Sequence, residues 1–278
     1  MSYFYINSFK INLKEYGGNY RMINIFNAPF QVGFYNTTPN AFTLALRMGL
    51  QRSEQLFWWV WEANRGSPVD ENATFSLEVD ENLVLANADG RIIWQTNTSN
   101  KVLLPLGKFV WQSFDHPTDT LLVDQYLKAN GPSKLVSRLS EKENVDGPYS
   151  LVFDPKGLTL YYKSKNSPRP IPYWNSSNWY SFEYEKLSLE NVTLISNPFE
   201  IGMEIFFVNV AFLGMKVFSE PVNNSTLTYP RLGIDGNIKI HTYFFNLVIF
   251  LLVVLDCNIV GLSLFSTWRR TCNICTIN

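Results

Sequence analysis

From Asn19 to Gly49 the chain reads as short apolar runs, Arg21-Met-Ile-Asn-Ile-Phe26 and Phe42-Thr-Leu-Ala-Leu46, separated by the turn formers Asn27, Pro29, Pro39 and Asn40. Runs this short with such boundaries predict β-strands. The texture continues through Phe57-Trp-Trp-Val-Trp61, Phe75-Ser-Leu-Glu-Val79, Leu83-Val-Leu85 and Ile92-Ile-Trp94, with Asp-Glu-Asn and Ala-Asp-Gly turns between them. No segment carries a helical period, so the expected class is all-β: a barrel, sandwich or prism.

Three tryptophans recur in a shared setting, Val60-Trp61-Glu-Ala-Asn64, Ile93-Trp94-Gln-Thr-Asn97 and Val110-Trp111-Gln-Ser-Phe114, which marks an internal repeat. The first spacing, 33 residues, holds three or four strands; the second, 17, has room for about two. The expected first domain, residues 19–125, is therefore incomplete in one sheet. After Pro117-Thr-Asp-Thr-Leu-Leu122 a more polar stretch runs through Gly131-Pro132 and Glu141-Lys-Glu-Asn144, a candidate boundary. Strand texture resumes in Tyr149-Ser-Leu-Val-Phe153, Leu158-Thr-Leu-Tyr-Tyr162, Thr226-Leu-Thr-Tyr229 and Ile238-Lys-Ile-His-Thr-Tyr243, which predicts a second β domain over 126–243. Within it, Ile201 to Phe218 is apolar without a clear period and fits either strand or buried helix.

The two ends differ from the rest. Residues 1–18 lack the basic region, apolar stretch and small-residue cleavage site of a secretory leader. Residues 244–268 contain Leu247-Val-Ile-Phe-Leu-Leu-Val-Val-Leu255 and form a candidate membrane anchor, with a tail over 269–278 that begins at Arg269-Arg270. As a helix, Phe244 to Phe265 would reach about 33 Å, the thickness of a bilayer core. Asn246, Asp256 and Asn258 oppose that reading.

Aromatic residues make up 15% of the chain, which suits pleated, half-buried faces. A formal net charge of −1 leaves no basic field to collect phosphates, so nucleic acid is not an expected partner. The cysteines, Cys257, Cys272 and Cys275, all lie in the last 22 residues. Cys272-x-x-Cys275 is half a zinc site without a second pair, so neither metal nor cofactor is expected. The histidines are His116, read as a turn residue before Pro117, and His241; no nucleophile elbow, phosphate loop or zinc helix accompanies them, and a non-catalytic protein is expected. Asn-x-Ser/Thr triplets at Asn36, Asn72, Asn97, Asn175, Asn191, Asn223 and Asn224 are candidate glycosylation acceptors.

One stretch offers binding chemistry. In Val79-Asp80-Glu-Asn82-Leu-Val84 a carboxylate, an amide and a small apolar side chain alternate, so on a strand Asp80, Asn82 and Val84 would share a face. A sugar can be held that way, with hydroxyls on the polar groups and its C–H face on the apolar one. The same spacing also suits a hairpin in which Asp80 and Asn82 cap a turn.

Val60-Trp-Glu-Ala-Asn-Arg65, the Asp80-x-Asn82-x-Val84 core and Phe109-Val-Trp-Gln-Ser-Phe-Asp-His-Pro-Thr-Asp-Thr-Leu-Leu122 resemble the bulb-type lectin module of plants. Phe34-Tyr-Asn-Thr-Thr-Pro-Asn-Ala-Phe-Thr-Leu-Ala-Leu-Arg47 and Tyr229-Pro-Arg-Leu-Gly-Ile-Asp-Gly-Asn237 resemble its epidermis-glycoprotein branch, and the likeness extends to S-locus glycoproteins. The resemblance implies a β-prism (β-prism II) of three four-stranded sheets, a second lectin-like unit, an extracellular or cell-wall location, and mannose bound through a Gln-x-Asp-x-Asn-x-Val-x-Tyr strand. Glu78 stands in the Gln place and Ala86 in the Tyr place; at the later Asp235-x-Asn237 pair, Lys239 and His241 take the Val and Tyr places. The resulting expectation is a lectin-like glycoprotein with a degenerate site at Glu78, Asp80, Asn82 and Val84, facing mannose-containing glycans or wall polysaccharide. The alternatives are a structural or protein-interaction glycoprotein without a sugar site and a membrane-anchored receptor-like ectodomain.

Overall fold

The computed structural model describes residues 2–5, 20–27, 30–36, 38–48, 58–99, 110–177, 179, 187–220, 227–243 and 275–276. The candidate anchor at 244–268, the gap between Asn100 and Phe109, Asn223, Asn224, Cys257 and Cys272 lie outside the described residues. Among those described, no helix is long and apolar enough to cross a membrane.

In chain order the strands before residue 110, grouped as a first unit, are β1 (Ser2–Tyr5), β2 (Tyr20–Asn27), β3 (Phe30–Asn36), β4 (Phe42–Met48), β5 (Trp58–Glu62), β6 (Thr74–Leu77), β7 (Leu83–Ala86) and β8 (Ile92–Gln95). A single 3-10 turn follows at Ser113–Asp115. The strands after that turn, grouped as a second unit, are β9 (Tyr126–Lys128), β10 (Lys134–Arg138), β11 (Asp146–Asp154), β12 (Gly157–Tyr162), β13 (Ile171–Asn175), β14 (Leu189–Ser196), β15 (Ile201–Phe207), β16 (Val210–Ser219), β17 (Leu227–Leu232), β18 (Ile238–Tyr243) and β19 (Cys275–Thr276). The all-β expectation holds.

The strands assemble into antiparallel sheets ordered β2-β3-β4-β5, β1-β6-β7-β8, β10-β11-β12-β13, β16-β15-β14-β9 and β17-β18-β19. Most sheets are thus four-stranded, as a bulb-lectin prism requires. Each packs one face inward. In the first unit Phe34, Phe42, Leu44, Phe75 and Leu85 form a core from two sheets, and Phe34 meets Phe75 edge-on at 5.9 Å. In the second unit Leu127, Leu135, Leu151, Leu160, Leu194 and Ile205 join strands of two sheets, and Leu232 adds the third. Asn64, 4% exposed, ties the first unit's strand ends together. Its Oδ1 accepts from the Leu44 N–H at 2.8 Å, and its amide donates to the Phe42 and Ser67 carbonyls.

The repeated tryptophans converge. Trp61 on β5, Trp94 at the end of β8 and Trp111 pack pairwise edge-on, with centroids 5.9, 5.8 and 5.6 Å apart. This edge-to-face arrangement brings the positive rim of each ring to the negative face of another. The members of the sequence repeat therefore meet in one aromatic cluster.

Two details depart from the strand reading. The run predicted over Phe75–Val79 ends at Leu77, because Glu78 opens a turn. Ile201–Phe218, open between strand and helix, is a hairpin of β15 and β16 joined at Val208-Asn209, with Asn209 at φ 63°. Asparagine tolerates that left-handed conformation better than most side chains.

A buried charge cluster joins the units. Asp119, 1% exposed, accepts from Arg65 and Arg231 at 2.8 Å each and from the Thr120 hydroxyl at 2.8 Å. Glu62 pairs with Arg65 at 2.6 Å and with Arg138 and the Tyr35 hydroxyl. Burial alone would lower the Arg65 pKa, but Glu62 and Asp119 outweigh it and raise the value. Burial, with Glu62 next, pushes the Tyr35 phenol up.

Candidate functional site

The candidate sugar residues lie on the β6–β7 hairpin, whose register pairs Thr74 with Ala86, Phe75 with Leu85, Ser76 with Val84 and Leu77 with Leu83. Only Val84 is within a strand. Asp80 sits in the turn and Asn82 just ahead of β7, so the shared strand face expected from the alternating spacing does not form. The reason is local: the Glu78 N–H donates to the Asn82 carbonyl at 2.9 Å, and the Glu81 N–H to the Glu78 carbonyl at 3.1 Å. Asp80 Oδ1 accepts from the Asn82 N–H at 3.2 Å, and Glu81 takes φ 67° to close the loop.

The same turn recurs. In Asn87–Arg91 the Asn87 N–H reaches the Arg91 carbonyl at 2.9 Å, the Gly90 N–H reaches the Asn87 carbonyl at 2.9 Å, and Asp89 Oδ1 accepts from the Arg91 N–H at 3.0 Å. In Gly233–Asn237 the corresponding bonds are 2.8, 3.1 and 3.2 Å, with Asp235 as the acceptor. Gly90 and Gly236 take φ 81° and 79° where Glu81 stands in the first turn. An aspartate at the third position thus caps its own loop, including at Asp89, which lies in no sugar motif.

Asn82 is 5% exposed and internally bonded. Its amide donates to Gln95 Oε1 at 2.7 Å, and its Oδ1 accepts from the Thr96 hydroxyl at 3.1 Å and the Thr98 N–H at 3.3 Å. It stitches the β6–β7 turn to the chain beyond β8. Val84 is 8% exposed and Ala86 is buried, so neither presents an open apolar or hydroxyl surface. The carboxylates lie further out. Glu78 accepts from the Ser76 hydroxyl at 2.6 Å, while hydrogen bonds from Ser99 and then the Asn82 backbone hold the Asp80 carboxyl below its ordinary pKa.

At the later pair, Asp235 and Asn237 are exposed and Lys239 pairs with Asp235 at 2.8 Å. His241 is buried and stacks on Tyr229 at 5.2 Å; burial, with Arg231 and Lys239, brings its pKa down to about 4. Asp115 and His116 form no acid–base pair in the geometry described: the His116 ring stacks on Trp111 and its carbonyl accepts from Trp61 Nε1 at 2.9 Å, whereas Asp115 accepts from Tyr126 at 3.1 Å. Of the candidate glycosylation acceptors, Asn72, Asn97 and Asn175 are exposed, and Asn36 and Asn191 are half-buried in β3 and β14. The buried charge cluster escaped sequence reading because its directly bonded members are up to 112 positions apart and no local spacing connects them.

A family profile described as D-mannose binding lectin matches residues 59–142. The chain is 49% identical over 251 residues to the epidermis-specific secreted glycoprotein EP1 of Daucus carota, an alignment covering 83% of this chain and 64% of that protein. It is 46% identical over 244 residues to EP1-like glycoprotein 3 of Arabidopsis thaliana, covering 82% and 55% respectively. A more distant likeness, 27% over 229 residues, is to the G-type lectin S-receptor-like serine/threonine-protein kinase SD2-5 of Arabidopsis thaliana, covering 77% of this chain and 26% of the kinase. The chain spans 55 to 64% of the length of the two glycoproteins.

Proposed function

Because this chain is a bulb-type lectin domain protein of the EP1-like glycoprotein kind, we propose that it is a non-catalytic extracellular glycoprotein of the plant cell wall whose mannose-type site is degenerate. The internal bonding of Asn82 carries this reading. A sugar hydroxyl would have to break bonds that Gln95, Thr96 and Thr98 already make with the amide, and Ala86 has no hydroxyl to offer. What remains for mannose-containing glycans or wall polysaccharide is the pair of carboxylates at Glu78 and Asp80. Acceptors alone, in an open and hydrated turn, give weak affinity with little orientation. The extracellular setting rests on the name of the carrot relative, and exposed Asn72, Asn97 and Asn175 are the acceptors we propose for glycosylation.

A second reading, a wall scaffold or protein-interaction module with no sugar at this hairpin, is favoured by the second copy of the turn, at Asn87–Arg91. There the same aspartate acts purely as a loop cap.

Calorimetric titration with methyl α-D-mannopyranoside separates the two readings. A degenerate site is expected to bind at about millimolar or weaker, worth about 4 kcal/mol at most, and Glu78→Gln/Asp80→Asn should abolish the heat without altering the melting temperature. No heat from folded wild-type protein would leave the scaffold reading. Micromolar binding would refute both. Asn82→Ala serves as the contrast: it is expected to destabilise the protein by about 1–3 kcal/mol, since it takes away the acceptor of the buried Thr98 N–H and the donor to Gln95 Oε1.

A further inference from the structure

In the second unit the sheets that carry Leu151, Met203 and Ile238 leave a cavity of about 230 Å³ between them. Its floor is aliphatic: Leu151, Leu158 and Leu160 with Met203, all buried. Its walls are aromatic. Trp174 meets Trp179 edge-on at 5.5 Å, and Trp179 lies 5.5 Å from Phe218 with the rings tilted at 58°. Tyr173 and Asn237, the exposed lining residues, mark the mouth.

Local bonding holds these groups in place. The register between β12 and β13 shifts after Leu160, which pairs with Trp174 while Tyr161 pairs with Pro172; Tyr173 lies between these pairs and is 46% exposed. Beyond β13 the Ser176 N–H donates to the Leu158 carbonyl, the Leu158 N–H to the Ser176 hydroxyl oxygen and the Trp179 N–H to the Ser176 carbonyl, each at 2.9 Å. These bonds fix to β12 the turn that carries Trp179. At the mouth the Tyr173 hydroxyl donates to the Gly236 carbonyl at 2.5 Å. A Cβ at Gly236 would sit 2.6 Å from Tyr149 Cδ1, so glycine is what lets that carbonyl approach. The rim is thus set before any ligand arrives, which spares the ordering cost of binding.

An apolar interior with few polar groups at its opening is the layout of a small-molecule site. Apolar cavities of about 150 Å³ accept benzene, so the space here takes one ring and a side chain of a few atoms. The aromatic walls add edge-to-face contact with a ring, which an alkyl chain does not make. None of the described lining residues is charged, and burial, with Tyr149 and Asp235 next, pushes the Tyr173 phenol up to about 12. A charged group would therefore enter without a partner. The Tyr173 proton is spent on Gly236, and the Asn237 amide donates to Asp235 at 3.2 Å. What the phenol oxygen still offers is a lone pair, which calls for a donor on the ligand.

We propose that this cavity binds a neutral arylalkanol, its ring seated among Trp174, Trp179 and Phe218 over the leucine floor and its short side chain ending in a hydroxyl that donates to the Tyr173 oxygen. The site takes no sugar, and it does not depend on the β6–β7 hairpin.

The test is titration of the full chain with 3-phenylpropan-1-ol, followed by calorimetry and tryptophan emission. Binding is expected at about 0.1–1 mM, with the emission perturbed. 3-Phenylpropanoate, which has a charged acceptor in place of the donor, should bind at least about tenfold more weakly. Tyr173→Phe should weaken 3-phenylpropan-1-ol several-fold and leave propylbenzene, which has no hydroxyl, unchanged; a merely structural role for Tyr173 would weaken both. Leu160→Trp, which fills the floor, should abolish binding of either compound, and Glu78→Gln/Asp80→Asn should leave both unaffected, which separates this site from the hairpin. Absence of 3-phenylpropan-1-ol binding by folded wild-type protein, equal affinity for the alcohol and the carboxylate, a parallel loss of both neutral compounds in Tyr173→Phe, or binding that survives Leu160→Trp in folded protein overturns the proposal.

Discussion

Asp119→Ala is expected to lower the stability of the chain by about 3–5 kcal/mol, the usual cost of removing one partner from a buried ion pair. At this chain length the melting temperature should fall by about 10 °C or more. Asp119 is where Arg65 of the first unit and Arg231 of the second meet, at 2.8 Å each, with Arg138 at 3.7 Å. Without the carboxylate, three guanidinium groups share a space in which Glu62 is the remaining buried carboxylate of the described cluster, Asp146 lying exposed 3.8 Å from Arg65. Scanning calorimetry reads the effect directly, and a drop of only a degree or two would show that solvent reaches the cluster and screens it.

The same group sets an acid limit. Burial alone would raise the Asp119 pKa, but Arg231, Arg65 and Arg138 outweigh that and hold it at about 2. A folded value below the unfolded one of about 3.9 means that the contribution is complete above pH ~4 and is lost as pH falls through about 2. Melting followed between pH 5 and 2 should therefore decline more steeply in wild type than in Asp119→Ala, which has already lost this titration. Parallel curves would argue against the assignment.

Trp61→Ala should have a comparable effect, about 3–5 kcal/mol, from the lost ring and the cavity it leaves. Trp61 is 8% exposed, touches both Trp94 and Trp111 edge-on, and donates Nε1 to the His116 carbonyl at 2.9 Å. Its removal opens a hole beside Trp94 and Trp111 and orphans an acceptor. Trp61→Phe keeps an edge and a face and should cost about half as much. Guanidinium unfolding checks both variants, and equal losses would mean that the hydrogen bond, not the ring packing, dominates.

Much of the fold was legible from local pattern because the signals for strands and turns are local. Runs such as Phe42–Leu46 and Leu158–Tyr162 announced β4 and β12, and the recurring tryptophan setting announced the repeat before any contact was known. The Ile201–Phe218 stretch was not legible in the same way. β15 is buried on both faces and so has no polar face to set a period, and the hairpin and its turn at Asn209 emerge only from pairing with β14. At the candidate site the spacing left two readings open for a related reason. Asp80-x-Asn82-x-Val84 has the spacing of a strand face, but the same spacing is also that of a five-residue turn closed by its own aspartate, and the backbone bonds from Glu78 to Asn82 select the turn.

The sequence by itself determined the all-β class, the turns and the threefold aromatic repeat, because each depends on neighbours within a few positions. Only the tertiary structure decided that Asn82 is an internal brace, that Asp119 gathers arginines from both units, and that a cavity remains between the sheets carrying Leu151, Met203 and Ile238. These outcomes depend on which distant side chains share a buried space, where unpaired polar groups are costly and charges must find partners, and no spacing along the chain encodes that.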